Sequence, residues 1–95
     1  PIDAEKYFVW ISRGLDAGKI LAWLGDVQSI YRWHEAYSNV ILETACRNNL
    51  RLIDVRKDFL VNRTCSSLHC SDGIHLNEAG QKLMLNSVLS YVKSA

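Results

Sequence analysis

One long amphipathic stretch, Val27 to Asn49, most constrains what this chain can fold into. Val27, Ile30, Tyr31, His34, Tyr37, Ile41, Leu42 and Ala45 recur at spacings of three and four. That period places them on one face of a helix of about six turns. Asp26 stands at its start as a natural N-cap. Asn48-Asn49 stands at its end, because Asn tolerates the left-handed conformation that closes helices. Two short apolar runs flank this helix. Tyr7-Phe8-Val9-Trp10-Ile11 is continuous, aromatic and β-branched, which is the pattern of a strand buried on both faces. Arg51-Leu52-Ile53-Asp54-Val55-Arg56 alternates more strongly and reads as a second strand, with Asp54 bonding nearby backbone or Arg56. Strand, helix and strand form a βαβ unit with parallel pairing and a right-handed crossover. The expected fold is therefore α/β, built on a parallel sheet in three layers.

The remaining segments are placed around that unit. Pro1 to Lys6 reads as a polar lead-in. Gly14 to Asp26 reads as a loop with a helical turn around Lys19 to Leu24, where Trp23 either lines a pocket or pins the loop to the body. Lys57 to Val61 reads as a short helical turn with Phe59 and Leu60 facing inward. Asn62 to Ile74 is a polar loop. Asn77 caps a helix from Glu78 to about Lys93. Its apolar face is Ala79, Leu83, Met84, Val88 and Val92, and its end charges suit the helix dipole.

The chemistry concentrates in Cys70-Ser71-Asp72-Gly73-Ile74-His75-Leu76-Asn77-Glu78-Ala79-Gly80. Asp72 and His75 lie three residues apart, and Gly73 allows the tight turn that lets them converge. A carboxylate that orients an imidazole prepares it to take a proton from a nucleophile. If a parallel sheet forms, this loop lies at the carboxyl ends of its strands, where ligands bind. His34 reads as a packed histidine.

Asp72-Gly73-Ile74-His75-Leu76-Asn77, followed by Ala79-Gly80 and an amphipathic helix, resembles the last characteristic block of the SGNH hydrolases, the GDSL esterase/lipase family. The Leu52-Ile53-Asp54-Val55 stretch adds a smaller point of likeness. The resemblance implies a flavodoxin-like domain, of which this chain would be the C-terminal β-α-β-α portion. It also implies ester hydrolysis through an acyl-enzyme, with His75 as general base and Asp72 as its orienting acid. No metal or organic cofactor is needed. The family's G-D-S block is absent, since Gly25-Asp26 is followed by Val27. Ser12 lacks the elbow such a nucleophile sits on, while Ser66, Ser67 and Ser71 share the loop with His75, where Ser71 reads as a locally bonded turn residue. The nucleophile and oxyanion donors are therefore expected in an N-terminal segment outside this chain. The implied substrate is a small ester, such as a lipid or an acetylated sugar.

Composition limits the partners. Ninety-five residues make one domain or less, and 48% apolar residues suit a globular chain. A net charge of +1 gives no cue for nucleic acid or an anionic membrane. No apolar run approaches the roughly 20 residues a membrane span needs. Two strands and two main helices leave a sheet with an open side, so the missing half or another chain is expected to pack there. Cys46 reads as a small buried hydrophobe on the long helix. Cys65 and Cys70 bracket a loop that a disulfide would close in an oxidising compartment, and Asn62-Arg63-Thr64 fits a glycosylation sequon, so together they hint at secretion. Two alternatives stand beside the hydrolase reading. One is a non-catalytic interaction piece of the same fold. The other is a Zn²⁺ loop using Cys65, His69, Cys70 and His75, although its C-x3-H-C-x4-H spacing matches no standard knuckle.

Overall fold

The computed structural model describes residues 1–62 and 65–94, except for the side chain of Ser66. It is mostly helical. Helix α1 runs Ala4–Ile11, α2 Ala17–Leu24, α3 Gln28–Arg47, α4 Val55–Leu60 and α5 Glu78–Ser94, with a 3-10 turn at Cys65–Leu68 between α4 and α5. Among the described residues there is no strand, only an isolated antiparallel bridge between His69 and Leu76. The expected α/β parallel-sheet, flavodoxin-like fold is thus corrected to an all-helical one.

The cause is local and lies in the caps. Asp3 Oδ1 accepts the Lys6 amide at 3.1 Å, Asp16 Oδ1 the Lys19 amide at 3.1 Å, and Asp54 Oδ1 the Lys57 amide at 3.0 Å. Each aspartate satisfies an amide that a helix start leaves without a partner, so each starts a helix. Capped at Asp3, the first apolar run falls into helical register. Ala4, Tyr7, Phe8 and Ile11 share one face, with Ala4 buried and the other three partly so, while Val9 and Trp10 point outward. The second run is divided. Residues 51–54 carry no regular structure, and Val55 already belongs to α4.

The long helix and the last helix form close to where their periodicity puts them. Asn77 Oδ1 accepts the Gly80 amide at 3.0 Å and caps α5. In α3 the cap position falls on Val27, which makes no side-chain cap bond. Asp26 instead pairs with Arg32 at 3.2 Å, and that guanidinium holds the Asp26 carboxyl below the usual carboxylate range, with the Gln28 and Ser29 amides adding to the effect.

Packing is thin. Ala4, Leu24 and Ile30 form one small core, with Ile2, Tyr7, Phe8, Ile20, Val27 and Tyr31 against it. Helix α4 packs on α5, with Phe59 buried and Ser87 donating to the Asp58 carboxylate. Leu60, expected inward, is exposed. Arg56 donates twice to Glu35 and joins α4 to α3, while Glu35 Oε1 is buried with no partner among the described residues. The buried residues of α3 are Ser29, Ile30 and Ala45, with Glu35 partly buried, and Tyr37, Ile41 and Leu42 are exposed. The radius of gyration is 15.5 Å, against about 12 Å for a compact chain of this length. Much apolar helix surface is therefore uncovered, and it lies on helix faces, not on an open sheet. No described helix is long and apolar enough to cross a membrane.

Candidate functional site

The loop between the 3-10 turn and α5 is built as a closed clasp. Cys70 N–H donates to the His75 carbonyl at 2.8 Å, and Asn77 N–H donates to the Leu68 carbonyl at 3.0 Å. The Asn77 amide group also donates to the carbonyls of Ser67 at 2.6 Å and His69 at 3.2 Å. The base of the loop is thus fixed at four points, and residues 71–74 turn back at its tip. Gly73 adopts φ +75°, a left-handed conformation that glycine takes without strain.

Within that tip the chain brings Asp72 and His75 together. Asp72 Oδ1 accepts the backbone amides of Ile74 and His75, both at 3.0 Å. Asp72 Oδ2 meets His75 Nδ1, which donates to it. The His75 hydrogen bond, followed by the two amides, lowers the Asp72 carboxyl to about 2. The Asp72 side chain is 14% exposed and that of His75 is 76% exposed. Because Nδ1 carries the proton shared with Asp72, a neutral ring presents the lone pair of Nε2 outward. Among the described residues nothing is hydrogen-bonded to that nitrogen. The site therefore holds an oriented proton acceptor on an open surface. Cavities of about 310, 160 and 230 Å³ are lined by neither Asp72 nor His75, although Ile74 and Leu76 line the third.

The depressed Asp72 ionisation gives a direct expectation. A carboxyl lowered on folding stabilises the folded chain at pH above its unfolded value near 3.8, and that contribution disappears as pH falls through about 2. The Asp72 carboxyl carbon shift should titrate with a midpoint near 2, and acid unfolding should deepen between about pH 4 and 2.

The other residues singled out in the sequence are dispersed. His34 is exposed, not packed. Trp23 is 78% exposed and meets Trp33 edge-on at 6.0 Å, so it pins nothing to a core. Ser12 Oγ donates to the Phe8 carbonyl at 2.6 Å and closes α1. Cys46 is exposed, not buried, and Cys46, Cys65 and Cys70 are all free thiols. Arg63 and Thr64 of the glycosylation sequon lie outside the described residues. Among the described residues no three His, Cys, Asp or Glu side chains gather as a metal ion would require. His69, weighed only as a ligand, is instead buried in the base of the clasp. Its sole sequence cue is its position eight residues before the Asn77 cap. Comparisons with protein-family models, curated proteins and solved structures find no match to this chain.

Proposed function

We propose that Asp72 and His75 form the acid–base half of a serine acyl hydrolase, with the serine supplied from outside these 95 residues. The observation that carries this reading is the Asp72 carboxylate, fixed by two backbone amides and engaged with His75 Nδ1. The likeness of Asp72-Gly73-Ile74-His75-Leu76-Asn77 to the SGNH block supports the same roles. In the reaction, His75 Nε2 takes the serine proton as the serine oxygen attacks the ester carbonyl. It then returns that proton to the leaving alcohol, and water repeats the cycle on the acyl-enzyme. Asp72 holds the tautomer and stabilises the imidazolium.

The exposure of His75 favours a second reading, in which the chain is a non-catalytic binding piece whose apolar helix faces meet another chain. One experiment separates the two. The native protein is weighed intact, and its p-nitrophenyl acetate turnover is followed before and after a serine-reactive phosphonate. Phosphonate on one serine with loss of turnover is expected of the hydrolase. A protein that neither turns over ester nor takes up phosphonate is the binding piece.

A further inference from the structure

We propose that His69 is a positioning residue for the Asp72–His75 pair, acting by holding residues 1–3 against the loop that carries it. This rests on reading that pair as functional, but its test reads geometry and ionisation, not hydrolysis.

The His69 ring is 5% exposed and packs against Phe59, with ring centroids 6.5 Å apart. Its Nε2 lies 2.7 Å from the Pro1 carbonyl. A carbonyl only accepts, so Nε2 carries the proton and donates it. Nδ1 lies 3.2 Å from the Cys65 carbonyl. One buried side chain thus ties the first residue of the chain to the base of the clasp.

Two residues later the same segment reaches the tip. Asp3 N–H donates to the Gly73 carbonyl at 2.9 Å. The approach is so close that a Cβ on Gly73 would lie 2.4 Å from the Asp3 carbonyl oxygen and 2.7 Å from the Tyr7 nitrogen. Gly73 is the neighbour of Asp72, and its backbone sets where the Asp72 carboxylate meets the Ile74 and His75 amides. Contact therefore runs from His69 to Pro1, along residues 1–3 to Gly73, and so to Asp72. The hydrogen bonds of the His69 ring go to the Pro1 and Cys65 carbonyls and not to Asp72 or His75, which makes it a positioning group.

The test uses the full chain labelled for NMR. In the native chain the Asp3 amide should exchange slowly, roughly tenfold or more below a free peptide amide. An Asp3 amide exchanging freely while that of Cys70 is protected would overturn the proposal before any substitution is made. His69→Phe keeps a ring against Phe59 but removes the donor. The Asp72 titration should then move from about 2 towards 3.8, with Asp3 protection lost. His69→Gln, which restores a donor for the Pro1 carbonyl, should recover part of the shift. If His69→Phe lowers the melting temperature while the Asp72 midpoint stays in place, His69 is structural only and the proposal fails. If His69→Phe does not fold, native Asp3 exchange and the His69→Gln midpoint decide the matter. An unshifted Gln midpoint with Asp3 protection lost also overturns the proposal.

Discussion

His75→Ala should reduce p-nitrophenyl acetate turnover by about 10⁴-fold in the native protein, while leaving the fold intact. The fold should survive because the His75 side chain is 76% exposed and holds no core together. A loss of that size corresponds to about 5.4 kcal/mol of transition-state stabilisation. It arises because no other described group presents a nitrogen lone pair beside a carboxylate at this surface. Asp72→Asn should cost a comparable factor for a different reason. An amide in place of Oδ2 can present its NH₂ to Nδ1, which favours the opposite tautomer and leaves Nε2 protonated and unable to accept. The two losses should not add, since both disable one relay. Circular dichroism and initial rates on the two single variants and the double variant check this. Rates within about threefold of native for His75→Ala would remove the histidine from the reaction and leave the binding reading.

How far the sequence reveals this molecule depends on the length of each pattern. Helix α3 repeats its period for six turns and stops at the expected Asn48-Asn49, with Asn49 at φ +54°; only its start differs, the cap position falling on Val27 while Asp26 pairs with Arg32. Helix α5 and its Asn77 cap were equally plain, as was the convergence of Asp72 on His75, which needs only a short turn with Gly73 inside it. The expected sheet is absent among the described residues because a five-residue apolar run fits a strand or one helix face equally well. What decides between them is an aspartate close by that caps a helix start, Asp3 upstream of the first run and Asp54 within the second. Asp-x-x-Lys occurs at Asp3, Asp16 and Asp54, and in all three the aspartate accepts the amide of the lysine that follows. The Ala4, Tyr7, Phe8, Ile11 face starts inside residues 1–6, whose polar composition gives no sign of a helix. Burial was less legible than structure. An apolar face read from periodicity is a face that can be buried, and Tyr37, Ile41 and Leu42 stay exposed among the described residues. The role of His69 was not legible at all, because its partner is a backbone carbonyl 68 residues away that no side-chain pattern records.

Gly80→Ala is the substitution in which ordinary helix propensity gives the wrong sign. Alanine inside a helix normally gains about 1 kcal/mol over glycine. Here the added Cβ would stand 2.2 Å from the Leu68 carbonyl oxygen and 3.1 Å from the Leu76 Cβ. The nearest atom is backbone and cannot swing aside, so α5 and the 3-10 turn must separate. The Leu68 carbonyl also accepts the Asn77 amide at 3.0 Å, so the movement strains the bond that closes the base of the clasp. Overpacking together with a weakened, partly buried hydrogen bond should destabilise the chain by about 3 kcal/mol. For a domain of this size that lowers Tm by roughly 12–24 °C in a thermal melt followed at 222 nm. The same displacement should loosen the tip above it and raise the Asp72 titration midpoint from about 2, because the Ile74 and His75 amides no longer meet the carboxylate squarely. An unchanged or higher Tm would mean that α5 does not approach Leu68 this closely. The clasp would then lose the support that fixes its base, and the packing of α5 against the Asp72–His75 loop would have to be redrawn.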